Sequence, residues 1–239
     1  MSGLIVDLDK CIGCSKCVRS CTQHGIEVVD KKAIVTDSCV MCGICVDSCP
    51  VKALRIEKEK TDAVTLTDYK NVWVFAQQID GEILPVAYEL LGKGRELADR
   101  KGAKLVAVLG EKAESDNPAK LIAYGADEVL YCIDERLAEA DSNVYTTWIC
   151  RLIDTYRPEI VLFGATNFGR ELAPSVAVRV KTGLTADCTV LEIDDETGLL
   201  RQTRPAFGGN LMATITCPNH RPQMATVRAG GLPPCKPDE

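Results

Sequence analysis

The chain has 239 residues, a length that corresponds to about one and a half domains of roughly 150 residues, so two compact units of unequal size are expected. Its 46% hydrophobic and 26% charged residues are an ordinary globular balance, and 28 Lys and Arg against 34 Asp and Glu give a net charge of −6, with no basic block to attract nucleic acid or anionic lipid. No apolar run reaches the roughly 18 residues of a membrane span and no apolar signal core follows Met1, so a cytoplasmic protein without a membrane span is expected.

Thirteen cysteines are anomalous in a reducing compartment, where disulfides are disfavoured. Cys11, Cys14, Cys17, Cys21, Cys39, Cys42, Cys45 and Cys49 fall within the first 60 residues. They form a tandem repeat: Cys11-x2-Cys14-x2-Cys17-x3-Cys21 returns 28 residues later as Cys39-x2-Cys42-x2-Cys45-x3-Cys49-Pro50, and Ile26 and Val28 fall on Leu54 and Ile56 at the same offset. Three thiolates two residues apart can wrap a tight loop over one iron-sulfur cube, while the fourth, displaced onto the next turn, reaches another. The spacing therefore assigns Cys11, Cys14, Cys17 and Cys49 to one 4Fe-4S cluster, and Cys39, Cys42, Cys45 and Cys21 to a second. Gly13 and Gly43 suit a backbone closing over a bulky inorganic core. Metal would replace the hydrophobic core that about 60 residues with few large apolar side chains lack. Zinc is the rival, but it seldom takes three cysteines in immediate CxxCxxC succession.

Residues 57–70 lose the cysteines and gain charge and threonine, which reads as a linker or an entry strand with the boundary near residue 65. Residues 72–76, 105–109, 128–132 and 160–163 read as buried strands, being short, apolar and bounded by polar residues or glycine. Asp141 offers an N-cap for a helix through Val144, Trp148, Ile149, Leu152, Ile153 and Tyr156 that Pro158 ends, and Pro85 and Pro118 sit where first-turn prolines belong. Strand-helix-strand units of this kind predict a mostly parallel sheet with helices on both faces. Beyond Lys181, the runs 189–193, 199–203, 211–217 and 223–228 are strand-like with short turns and predict an added antiparallel edge. The last ten residues, GGLPPCKPDE, read as linker.

Gly164-Ala165-Thr166-Asn167-Phe168-Gly169-Arg170 follows a strand and opens a helix, which places free N–H groups and a cation at one anion-friendly spot. The plainer reading is a helix start with a surface arginine. His24 and His220 read as loop residues facing solvent, since neither has a second partner at ligand spacing. Cys132, Cys150, Cys188 and Cys217 read as small buried thiols, Cys235 as exposed, and residues 111–116 as a solvated loop.

The head resembles the bacterial two-cluster ferredoxin domain, with Thr22 where that family usually has a proline after the fourth cysteine. Residues 158–188 and 201–228, with the phrases GATNFGRELAP, TGLTADC and AFGGN, closely resemble the first domain of the electron-transfer flavoprotein α subunit, and with the preceding strands and helices the resemblance covers about residues 70–230. The implied fold is α/β: a small ferredoxin-like α+β domain at 1–60, a linker at 61–70, a Rossmann-like, mostly parallel domain with an antiparallel edge at 71–229, and a C-terminal linker at 230–239. The combination resembles α subunits of electron-bifurcating flavoproteins. That implies an electron-transfer subunit rather than a stand-alone enzyme, relaying single electrons between two 4Fe-4S clusters and an FAD at the interface with a β-type partner. The other implied partners are a flavin-dependent dehydrogenase, serving NADH, acyl-CoA or hydroxyacid oxidation, and ferredoxin or another low-potential carrier.

In the same resemblance Arg204, within Arg-Pro-Ala-Phe-Gly-Gly-Asn, is expected to reach the partner's flavin ring, where a fixed guanidinium favours the anionic reduced form. Arg170, Gly164 and Gly169 are expected at the same cofactor. Members of the family continue into a hinge and an FAD-binding domain where this sequence stops at Glu239, and Ala229 stands where proline is common, which implies a separate chain for that domain or a truncated product. The alternative is a nucleotide-binding module with redox-sensing clusters. Against it, the first strand runs into Gln77-Gln78-Ile79-Asp80 without a glycine-rich phosphate loop.

Overall fold

The computed structural model describes residues 3–36, 38–39, 42–57, 65–209 and 211–235, and the chain divides into two compact units, Met1–Val64 and Thr65–Glu239. Of the expected linker at 61–70, residues 61–64 lie outside the described residues, Leu66–Asp68 forms a 3-10 turn, and Lys70 already opens a strand.

In the first unit the sequence repeat becomes a structural one. Strand β1 (Gly3–Val6) pairs antiparallel with β4 (Leu54–Glu57), and β2 (Ile26–Val29) with β3 (Lys32–Val35). Helices α1 (Lys16–Ser20) and α2 (Ile44–Ser48) are five residues each, far below the length at which a helix holds in isolation, so their stability comes from packing. Both are preceded by a left-handed residue at equivalent positions, Ser15 and Gly43. Ser20 Oγ and Ser48 Oγ, 28 residues apart, meet at 2.9 Å. Equivalent residues of two repeats touch only near an axis relating them, which is where this pair sits. Leu4, Ile26, Ala33 and Leu54 form the core together with Cys17 and Cys45. Gly13 has a local reason beyond the one expected: at φ 67°, a Cβ would lie 2.5 Å from the Lys31 carbonyl oxygen.

The second unit is built on β5 (Lys70–Phe75), a two-residue hairpin of β6 (Gln78–Ile79) and β7 (Glu82–Ile83), α3 (Pro85–Lys101), β8 (Leu105–Glu111), α4 (Asn117–Ala123), β9 (Glu128–Ile133), α5 (Ser142–Tyr156), β10 (Pro158–Gly164), α6 (Asn167–Arg179) and β11 (Leu184–Cys188). Strands β12 (Val190–Ile193), β13 (Leu200–Ala206), β14 (Leu211–Ile215) and β15 (Gln223–Val227) complete it. A six-stranded sheet runs in the order β11-β15-β10-β5-β8-β9 with every pairing parallel. Successive strand residues point to opposite faces, so Val72 and Val74 enter one core with Leu90, Leu91 and Leu97 of α3, while Trp73 and Phe75 enter another with Ile149 and Ile153 of α5 and Val176 of α6. Pro85 and Pro118 stand in the first turns of α3 and α4, Asp141 caps α5 by accepting from the Asn143 N–H at 2.8 Å, and left-handed Arg157 stops that helix before Pro158.

The expected α/β class stands, with two differences in its last third. The antiparallel addition is a separate three-stranded sheet, β12-β13-β14, and Gln223–Val227 is not part of it. That run is a parallel strand between β10 and β11, because all five of its residues are buried and only the interior of a doubly covered sheet hides both faces. Its outer neighbour β11 escaped notice because Thr and Asp interrupt it and a bulge separates Thr185 from Cys188. The C-terminal stretch is likewise not a free linker as far as residue 235: the buried Glu89 carboxylate accepts from the N–H groups of Gly230 (2.9 Å) and Leu232 (3.4 Å), and the Cys235 N–H donates to Tyr88 O at 3.3 Å.

The turn from β10 into α6 is closely packed. A Cβ on Gly169 would lie 1.9 Å from the Gly164 carbonyl oxygen, and one on Gly164 would lie 2.8 Å from Val86 Cγ1. Gly169→Ala is expected to cost about 3 kcal/mol by overpacking against backbone that cannot retreat, and a melting experiment should show a drop of roughly 6–12 °C. Gly81→Ala, where a Cβ would meet nothing within 4 Å, should suffer only from its left-handed backbone.

Candidate functional site

Two groups of expected site residues lie in separate units. In the first, Cys11, Cys14, Cys17 and Cys49 line one cavity beside Gly13, and Cys39, Cys42, Cys45 and Cys21 line another beside Gly43. Each quartet thus draws its fourth member from the other half of the repeat. Burial pushes the Cys17 and Cys45 thiols up, with Cys11 and Cys14 adding to the first, and Cys39, Cys21 and Cys42 to the second. The Cys21, Cys11 and Cys49 sulfurs accept backbone N–H groups from Gly25 at 3.2 Å, Ala33 at 3.4 Å and Ala53 at 3.3 Å.

The cofactor expectation is corrected at this point. Among the described residues no group of three or more His, Cys, Asp or Glu side chains is placed to hold a metal ion. The geometry therefore does not support the two 4Fe-4S clusters assigned to Cys11, Cys14, Cys17 and Cys49 and to Cys39, Cys42, Cys45 and Cys21. Spacing decides which loop carries each cysteine and which cavity it lines, but it does not decide how closely the sulfurs converge. The strand order of the parallel sheet reverses between β5 and β10. There the Thr166 hydroxyl donates to Gln77 Oε1 at 2.6 Å, bridging the two strand ends.

In the second unit Thr166 also caps α6, its oxygen accepting from the Gly169 N–H at 2.9 Å, so one of the free N–H groups at this helix start already has a partner. Arg170 turns toward β11, where its Nη2 donates to Asp187 at 3.1 Å. Asp187 also takes Arg228 Nη2 at 2.7 Å, and these two guanidiniums, Arg228 foremost, hold its carboxyl below the ordinary range. Next to Asp187 is Cys188, fully buried, whose thiol burial pushes up to about 11 against the opposing pull of Arg204. The structure therefore gathers Arg170, Arg204 and Arg228 around Asp187-Cys188, at the carboxyl ends of β11 and β15 where open parallel sheets place their ligands. Gly164 and Gly169 serve the packing of the turn described above.

Sequence reasoning missed Arg228 and Asp187. The dipeptide Asp187-Cys188 lies in the TGLTADC phrase, but only the parallel placement of β15 beside β11 brings Arg228 to it. Glu111 was also misjudged. It is 3% exposed and accepts from Asn117 Nδ2 and Ser115 Oγ at 2.6 Å and from Tyr131 at 2.8 Å, a buried network where a solvated loop was expected. His24 and His220 are exposed, as expected. Of the four thiols expected buried only Cys188 is fully so, Cys132, Cys150 and Cys217 being half-buried, and Cys235 is half-buried rather than exposed.

Thiol chemistry reads these environments directly, since the thiolate is the reactive form. Under brief iodoacetamide treatment at mildly alkaline pH, peptide mass spectrometry should find the exposed Cys14 and Cys42 modified first and Cys188 untouched until denaturation. Early modification of Cys188 would contradict its burial.

Comparison with known proteins covers both units. The family described as "Electron transfer flavoprotein domain" matches residues 72–239, and the "4Fe-4S dicluster domain" family matches residues 5–56. The electron transfer flavoprotein subunit alpha of Clostridium acetobutylicum is 53% identical over 163 residues, covering 68% of this chain and 48% of that protein. Protein FixB of Azorhizobium caulinodans is 48% identical over 168 residues, covering 69% and 45%. The acryloyl-CoA reductase electron transfer subunit beta of Anaerotignum propionicum is 38% identical over 192 residues, covering 71% and 52%. The chain spans about half the length of these relatives.

Proposed function

The chain belongs to the electron-transfer flavoprotein family, and from that premise we propose that it is the α-type half of an electron carrier, whose second unit docks a β-type chain and presents Arg204 to a flavin held by that partner. The observation that carries this reading is strand β14. It ends the three-stranded sheet with an edge that has no partner strand among the described residues, and Leu211, Met212 and Ile215 are 59%, 56% and 40% exposed on it. A flat apolar edge of this kind is an invitation to pairing that soluble proteins otherwise blunt. Ala213 lies opposite Arg204 in the antiparallel register, so Leu211 and Ile215, two residues either side of Ala213, share a face with that arginine. Apolar contact and a cation are thus offered to one partner from one surface.

The chemistry follows from charge. Reduced flavin at neutral pH is an anion, and the corner around Asp187 carries three guanidiniums against one carboxylate. A guanidinium keeps its charge and its planar fork of donors whatever the redox state, so Arg204 raises the affinity for the reduced form without any proton of its own moving. This chain transforms no substrate in this reading, and the electrons go on to a partner dehydrogenase. The name of the Anaerotignum propionicum relative favours an acyl-CoA-linked one.

Co-expression with a β-type chain separates the two roles. Leu211→Asp should reduce capture of that chain at least about tenfold while leaving the melting temperature of the isolated protein unchanged, as expected for an exposed side chain. Arg204→Gln should keep the partner and shift the flavin's reduction potential downward. If Leu211→Asp binds normally the docking face is wrong, and an unmoved potential in Arg204→Gln removes the arginine from the flavin.

A further inference from the structure

A cleft in the second unit lies at the opposite edge of the parallel sheet from the arginine corner, five strand spacings or about 24 Å away. It runs between the end of β9 and the outer side of α5 and has a cavity volume of about 470 Å³, within the size range of small-ligand pockets. Its walls divide by chemistry. Leu137, Val144, Cys132 and the ring of Trp148 make an apolar floor, and Asn143, Thr147 and Arg151 make a polar rim along α5.

Trp148 is held in place on its inner side, with its ring edge-on to Tyr145 at 5.8 Å between centroids and so close to Gly110 that a Cβ there would come within 3.0 Å of it. The single carboxylate lining the cleft, Asp134, is taken up by Arg136, which donates to it at 2.9 and 2.6 Å. The Arg151 guanidinium, by contrast, has no carboxylate partner among the described residues, and Arg179 approaches the same rim, donating to Thr147 Oγ1 at 2.9 Å. The Cys132 thiol is pushed up by burial and is neutral at physiological pH, so it adds no negative charge. The cleft therefore pairs a fixed aromatic floor with an excess of positive charge at its mouth.

We propose that this cleft is a binding site for a small planar aromatic anion, with the ring lying on Trp148 and the carboxylate or phosphate group reached by Arg151. Stacking on an immobilised indole costs little ordering, and a guanidinium free of carboxylate partners need not break an ion pair to bind. This proposal is independent of the docking face on β14, which lies in another sheet.

The test uses tryptophan fluorescence of the full chain, because Trp73 is 2% exposed and Trp148 is the indole that a ligand can reach. Benzoate and phenyl phosphate are the probes, benzyl alcohol is the ring without charge, and acetate and inorganic phosphate are the charge without ring. At least one probe should quench saturably with a dissociation constant of about 1 mM or tighter, and the tighter of the two identifies carboxylate or phosphate as the preferred group. Each control should bind at least about tenfold more weakly, and Arg151→Gln, at an exposed position, should weaken the probe by about tenfold, or about 1.4 kcal/mol, with an unchanged melting curve. Equal binding of acetate or phosphate would reduce the site to a surface cation. Absence of saturation, or an Arg151→Gln variant indistinguishable from the parent, would overturn the proposal outright.

Discussion

Alternate residues of β5, β8 and β10 enter different cores: Val72, Leu105 and Ile160 on one face, Trp73, Val106 and Val161 on the other. A sheet buried on both sides must be covered on both sides, and its strands must be parallel if each returns through a covering helix. That one constraint orders the second unit. It places α3 on one face and α5 and α6 on the other, and it brings every strand's carboxyl end to the same side. Loops that leave that side are the ones free to carry chemistry. The cluster around Asp187 and the Gln77–Thr166 bridge both lie there. The bridge ties the ends of β5 and β10 together where the strand order reverses.

The first unit rests on a different principle. Among the described residues its core cluster holds six buried side chains, two of them cysteines, and its helices are single turns. Duplication compensates for this small core: equivalent segments pack against each other about an approximate axis, marked by Ser20 against Ser48, so each half supplies part of the shelter of the other. The cysteine cavities inherit that symmetry, each taking its fourth wall residue from the opposite half.

The two edges of the large sheet have contrasting surroundings. Near β11, guanidiniums surround a carboxylate and a buried thiol, and the adjoining small sheet exposes an apolar strand; near β9, Arg151, with no carboxylate partner among the described residues, lines the same cleft as Trp148. The net charge of −6 hides both local excesses of positive charge, because composition sums over a surface that binding partners sample patch by patch.

Much of this protein was legible in its sequence because the relevant signals are local. Apolar runs bounded by polar residues or glycine marked β5, β8, β9 and β10, Asp141 and the prolines marked helix starts, and a 28-residue offset marked the repeat, since backbone geometry and capping act over a few residues. What the sequence left open depended on distances between segments remote in the chain. Whether 223–227 joined the antiparallel strands or slotted between β10 and β11 was decided by which environment could bury both its faces. Arg228 became part of a site only because that strand lies beside β11, and Glu111 became a buried acceptor only because Asn117 and Tyr131 fold over it. Cysteine spacing determined which cavity each thiol lines, whereas the convergence of the sulfurs was a matter of tertiary packing, because spacing constrains a chain's path and only the folded backbone sets the separation between its loops.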